Sequence, residues 1–264
     1  MIKLIASDVD GTLVEDGTFR LNPEYYDLIK ELDKRGILFV AASGRQYSSM
    51  KRLFSPVLDN MDFISESGAA IWKKGKSRVP LAIPRSDVLE MVEDAEKIPG
   101  MDYMITTADR CFLKEKGTEL WRWLEEGYRY DLELCRAKEL PEGLEFTKFA
   151  LYYPYRVEEL TVEFRKKWEK KLHLCLAGHM WLDALMPGVN KGSALKLIQE
   201  DLGILPSETI VFGDNQNDLE MMDCAELSYA VSTAREEMKA KAKGGVIPSF
   251  AEDGVLAELK KLLA

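Results

Sequence analysis

The strongest constraint on the fold is a pattern that occurs three times: an unbroken apolar run that stops at small or acidic residues. Ile2, Leu4, Ile5 and Ala6 lead into "SDVDGTLV" at 7–14, "ILFVAASGR" fills 37–45, and "TIVFGDNQNDLEMM" fills 209–222. Continuous rather than alternating apolar strands fit a parallel sheet covered on both faces. The stretch between the first two runs reads as a helix. Asn22 can cap it, Pro23 suits its first position, Leu28, Ile29 and Leu32 form its apolar stripe, and Gly36 can end it. Upstream of the third run, "NKGSALKLIQEDLG" makes a helix with Leu195, Ile198 and Leu202 on one face and Gly203 as its stop. In such sheets ligands bind at the carboxyl ends of the strands. Asp8 and Ser43 therefore share one edge, and Asp214 and Asp218 follow the end of the third strand.

Residues 83–186 read differently. Helical stretches at 86–98 and 157–172 alternate with short strands, "DYMITT", "FTKFALYY" and "MWLDALM", while "IPRSD" and "LMPGVN" supply the Pro and Gly of two linkers. The expected architecture is an α/β doubly wound parallel-sheet core from 1–82 and 187–264, with an inserted α/β cap at 83–186.

Composition removes whole classes of function. The 264 residues carry 36 Lys plus Arg against 45 Asp plus Glu, a net charge of −9 that disfavours nonspecific binding to nucleic acid or an anionic membrane surface. No apolar run approaches the roughly 20 residues that span a bilayer. Cys111, Cys135, Cys175 and Cys224 form no CxxC, and no basic-then-apolar leader opens the chain, which points to reduced thiols and a cytoplasmic protein. With only His173 and His179, neither a three-histidine zinc site nor HExxH can be assembled, so a metal would be held by oxygen. "AIWKKGKS" at 70–77 ends like a phosphate loop but has Ala70 where GxxxxGKS needs Gly. A calcium loop from Asp8 would need Gly and Glu where Leu13 and Phe19 stand, and no GxSxG occurs.

The chemistry concentrates in the three strand ends. Asp8 and Asp10 set two like charges at the end of a buried strand, which calls for a cation. Lys191 in the first turn of its helix opposes the helix dipole, an arrangement favoured only where an anion lies between the lysine and the open backbone amides, and that points to phosphate.

"DVDGTLV", "SGR", "NKGSAL" and "FGDNQND", in this order, resemble the four motifs of the haloacid dehalogenase-like phosphatases, and the long insert between the second and third resembles the Cof-type subfamily with a C2B cap. The resemblance implies that Asp8 is the nucleophile that becomes an aspartyl phosphate and that Asp10 is the general acid and base. It implies Mg²⁺ held by Asp8, Asp214 and the backbone carbonyl of Asp10. Ser43, Gly44, Lys191 and Asn217 would bind the transferring phosphoryl group, with Thr12 in support and Asp218 orienting Lys191 or a metal-bound water. The substrate it implies is a small phosphorylated metabolite, with sugar phosphates as the family-level expectation. Trp181 and Asp183 are the cap residues singled out for specificity. Two departures stand out: many Cof-type relatives have Asn-Gly where this chain has Ser67-Gly68, and Thr where it has Ser43. A phosphosugar mutase of the same superfamily and a non-catalytic phosphometabolite sensor are the alternative functions.

Overall fold

The structure is a computed structural model that describes residues 1–177 and 179–263. In chain order its strands are β1 (Leu4–Asp8), β2 (Leu38–Ala42), β3 (Met61–Ser65), β4 (Ala70–Lys73) and β5 (Lys76–Arg78). There follow β6 (Asp102–Thr107), β7 (Cys111–Leu113), β8 (Leu132–Leu134), β9 (Phe146–Tyr152), β10 (His173–Ala177) and β11 (Trp181–Leu185). The last are β12 (Thr209–Gly213), β13 (Leu227–Val231) and β14 (Gly245–Ile247). The chain divides into two units, Met1–Arg78 joined by the segment from Asn190 onward, and Val79–Val189.

The first unit is built on a sheet with the order β14-β13-β12-β1-β2-β3-β4-β5. Pairing is parallel from β14 to β3 and antiparallel for β4 and β5. Leu4, Ile5, Ala6, Phe39, Val40, Ile210, Val211 and Phe212 are completely buried, as continuous apolar strands in a two-sided sheet must be. From β1 the chain runs outward to β2 and β3, and it returns on the other side through β12, β13 and β14. The crevice between β1 and β12 is thus the switch point where open α/β sheets bind ligands.

Local signals account for the flanking helices. Asn22 Oδ1 accepts from Glu24 N at 3.0 Å ahead of the Glu24–Lys34 helix. The Lys191–Leu202 helix opens on a reciprocal cap between Asn190 and Ser193 and closes on left-handed Gly203 (φ 64°). The "KKGKS" stretch is a hairpin: β4 and β5 are joined through Lys74 (φ 48°) and Gly75 (φ 73°), the left-handed pair of a tight β-turn.

The second unit has its own sheet, ordered β10-β11-β9-β6-β7-β8. One apolar cluster gathers Val88, Met91, Val92, Phe149, Leu151, Phe164 and Trp168, and a second gathers Met104, Leu113, Trp121, Tyr130 and Tyr152. The division between the units falls after Arg78 and after Val189, a few residues from the expected 82 and 186, and Ile83, the first residue of the expected insert, donates its N–H to Phe146 O (2.8 Å) and is buried in the second unit's core. The stretch 157–172 is also not one helix. Val157–Leu160 and Val162–Trp168 are separated at Thr161, whose hydroxyl donates back to Val157 O at 2.7 Å. The helix expected at 86–98 runs Arg85–Ala95. No disulfide joins the four cysteines, and no helix among the described residues is long and apolar enough to cross a membrane.

Candidate active site

Asp8 ends β1, Ser43 follows β2, Glu66 follows β3 and Asp214 follows β12, so the parallel strands deliver all four to one edge of the sheet. The Lys191–Leu202 helix brings its first residue to the same place: Lys191 Nζ lies 2.5 Å from Asp8 Oδ1 and 2.6 Å from Asp218 Oδ1. All three side chains are buried, Lys191 with 1% and Asp218 with none of its side chain exposed. The unfavourable position of the lysine at a helix start is thus offset by two carboxylates of the chain itself. Asp218 Oδ2 in turn accepts from the backbone amides of Asp214 and Asn215, both at 3.2 Å. Asp218, expected to orient Lys191, makes that contact directly. Capping of the Gln216–Asp218 turn falls to Asn215.

Carboxylate oxygens of Asp8, Asp214 and Asp218 lie within 4.8 Å of one another. Asp8 Oδ2 is buried with no hydrogen-bond partner among the described residues, and Thr12 Oγ1 donates to Asp214 Oδ1 at 3.1 Å. Burial, reinforced by the charge of Asp218, pushes the Asp8 carboxyl well up despite Lys191. The same causes push Asp214 up to about 7. Burial alone would lower Lys191, but Asp218 and Asp8 outweigh it and keep the ammonium protonated. Three carboxylates against one ammonium, an orphaned buried oxygen and an all-oxygen donor set suit a hard divalent cation. Gly11 (φ 84°) is needed beside them, since a Cβ there would sit 2.5 Å from Asp214 Oδ2.

Asp10 stands apart from this acidic group. Its carboxylate faces Arg45, whose Nε lies 2.8 Å from Oδ2 and whose Nη2 lies 2.5 Å from Oδ1. The Ser43 hydroxyl donates to Oδ2 at 3.2 Å and accepts from Arg45 N at 3.0 Å. Any metal contact from Asp10 would therefore come from its backbone. At Gly44 a Cβ would lie 3.3 Å from Ser67 Oγ, so glycine lets the turns after β2 and β3 close on each other. Ser67 N also donates to Ser43 O at 3.0 Å. Ser67 adopts φ 57°, a left-handed conformation in which Asn is more at ease, a physical reason for Asn-Gly at this turn. Gly68 packs where a Cβ would fall 2.2 Å from Asn190 O, tying this turn to the start of the lysine helix.

Asn217 is half-buried on the turn after β12 and among the described residues hydrogen-bonds to none of these groups. In the second unit, Asp183 is buried and paired with Lys148 Nζ at 3.4 Å, whereas half-exposed Trp181 lies against Tyr152 and Trp123 (ring centroids 4.9 and 5.8 Å). Arg45 carries no expected role from the sequence, although it stands inside "SGR". The local signal is that a buried arginine just past the end of a strand needs an acidic partner.

A family model for the haloacid dehalogenase-like hydrolases matches residues 5–259. The 5-amino-6-(5-phospho-D-ribitylamino)uracil phosphatase YbjI of Escherichia coli (strain K12) is 28% identical over 99% of this chain and 96% of its own. An HMP-PP phosphatase of Escherichia coli O8 (strain IAI1) is 25% identical over 91% of this chain and 88% of its own. Among solved structures, a Eubacterium rectale protein is 36% identical with a TM-score of 0.88 over 99% of both chains. SMU.1108c of Streptococcus mutans UA159 is 27% identical with a TM-score of 0.85 over 100% of this chain and 99% of its own. With its parallel core, its inserted α/β unit and a family match over nearly its whole length, this chain belongs to the haloacid dehalogenase-like hydrolases and is a phosphatase of the Cof type.

Proposed function

We propose that this protein is a Mg²⁺-dependent phosphatase of small phosphorylated metabolites, sugar and polyol phosphates foremost, that works through an aspartyl phosphate on Asp8. The observation that carries this reading is Asp8 itself: a buried carboxylate at the sheet's switch point, fixed on one oxygen by Lys191 and, among the described residues, without a hydrogen-bond partner on the other. A carboxylate so held is restrained in orientation yet open to an electrophile.

Asp8 attacks phosphorus as the bond to the ester oxygen breaks, and Asp10 gives its proton to the departing alcohol. Asp10 then takes a proton from water as that water attacks the acyl phosphate, releasing inorganic phosphate and restoring both carboxyl groups. Lys191, Ser43, Gly44 and Asn217 are assigned to the phosphoryl oxygens, where negative charge must be stabilised. Asp8, Asp214 and the Asp10 backbone are assigned to Mg²⁺, with Asp218 and Thr12 steadying Lys191 and Asp214. Bound there, the metal supplies charge neutralisation for in-line phosphoryl transfer.

The polyol phosphate preference is supported by the phosphoribityl group in the name of the YbjI relative's substrate. Selectivity is assigned to the inserted unit through Trp181; Asp183 is engaged by Lys148 and would act on a substrate only by leaving that pair. Retention of Asp8, Asp10 and Lys191 together favours turnover over sensing. The test is phosphate release from a panel of phosphorylated metabolites with Mg²⁺, in excess chelator, and with Asp8→Asn. Turnover that survives chelation or Asp8→Asn refutes the reading.

A further inference from the structure

Asp10 and Asp8 are two residues apart, yet their carboxylates are held by different cations. Lys191 takes Asp8, and Arg45 takes Asp10. The guanidinium is 1% exposed and spans both Asp10 oxygens, with Nε 3.1 Å from Oδ1 as well as 2.8 Å from Oδ2 and Nη2 2.5 Å from Oδ1. Arg45 is itself fixed. Its Nη2 donates to Thr18 O at 2.9 Å, its Cζ lies 5.2 Å from the centre of the Phe19 ring, and its backbone amide donates to the Ser43 hydroxyl. The remaining contacts to Asp10 are single: Ser43 Oγ reaches Oδ2, and Gly17 N reaches Oδ1 at 3.3 Å. The planar fork makes the shorter contacts and holds both oxygens from one rigid group, so it is the main restraint on the rotation of the carboxylate about its last torsion.

We propose that Arg45 is a positioning residue that sets the direction of the Asp10 carboxylate and keeps it apart from the Asp8–Asp214–Asp218 group, aimed for proton transfer to and from the ester oxygen. This rests on the reading of Asp10 as acid and base. Misplacing a proton donor by about 1 Å costs on the order of 10²-fold, and the cost falls on leaving groups that need the proton. An alkyl phosphate should feel the loss of Arg45, and an activated aryl phosphate should feel it little in the step that forms the phosphoenzyme.

The experiment compares full-length Arg45→Met, Arg45→Lys, Asp10→Asn and the double variant Arg45→Met/Asp10→Asn, with Mg²⁺, on glycerol 2-phosphate and p-nitrophenyl phosphate. Arg45→Met should lower kcat on the alkyl ester by about 10²-fold while nitrophenol is still released in a burst, as in Asp10→Asn. Arg45→Lys, which keeps the charge but not the fork, should fall between wild type and Met. In the Asp10→Asn background, Arg45→Met should change the rate by less than about threefold, because the two residues act as one unit. Absence of the nitrophenol burst together with equal losses on both esters, or a full further loss in the double variant, overturns the inference and leaves Arg45 a structural ion pair. If Arg45→Met does not fold, Arg45→Lys is read by the same two comparisons. If Asp10→Asn itself fails to separate the two esters, the acid–base reading falls and the inference falls with it.

Discussion

Replacing Lys191 by Met tests whether the buried ammonium holds the acidic edge of the sheet together. Methionine keeps most of the side chain's length and volume, so packing changes little and the effect is electrostatic. The ammonium is 1% exposed and lies 2.5 and 2.6 Å from Asp8 and Asp218, which are themselves buried, with Asp214 close by. Removing one partner of a buried pair costs about 3–5 kcal/mol. The low end applies, because burial already raises the Asp8 and Asp214 carboxyls and one of them can take up a proton instead of remaining an uncompensated charge. A loss of about 3 kcal/mol corresponds to about 6–12 °C in Tm for a domain of this size. Mg²⁺ should restore more stability to the variant than it adds to the wild type, since in the variant it faces three carboxylates with no internal cation. Turnover should nevertheless fall to background, as the ammonium is also the group proposed above to stabilise the transferring phosphoryl group. The assay is thermal unfolding in chelator and in saturating Mg²⁺, with phosphate release alongside. A Tm in chelator within about 2 °C of wild type, or equal Mg²⁺ stabilisation of both proteins, would refute the argument.

Gly11→Ala should weaken Mg²⁺ half-saturation of activity by about 10- to 100-fold, because the new methyl would meet Asp214 Oδ2 at 2.5 Å in a left-handed backbone (φ 84°); an unchanged Mg²⁺ titration would dismiss Gly11 as a support of Asp214. Asp62, buried on β3 opposite Lys73, has its carboxyl raised by burial against the pull of Lys73 and Lys74. The folded state therefore favours its neutral form, and the stability this contributes is complete below the unfolded carboxyl's pKa and lost as pH rises through the folded value. Asp62→Asn, which cannot ionise, should gain Tm relative to wild type on going from pH 4 to pH 8; a Tm difference independent of pH would show that Asp62 does not titrate across this range.

Much of this protein is written in local sequence. The apolar runs ending at Asp8, Ser43 and Asp214 need only their own residues to declare buried parallel strands, and the topology then carries their ends to one edge. Asn22, Asn190 and Gly203 mark helix ends because capping and left-handed turns involve residues a few positions apart. The misplaced charge of Lys191 could be read as the sign of an anion, since the helix dipole is a property of the helix alone. What the sequence could not supply is which groups meet across long separations. That the anions beside Lys191 include Asp8, 183 residues away, that Asp183 faces Lys148 in the second unit, and that Ile83 joins its core through Phe146 are all decided by how strands and helices come together in three dimensions. The same holds for Arg45, which locally is an arginine after a strand and becomes the partner of Asp10 only when β1 and β2 lie side by side. Thr161 interrupts an apolar pattern that periodicity carries straight through. Periodicity and capping act over one or two turns of chain, whereas the pairing of buried charges depends on distances that exist only once the sheets have formed.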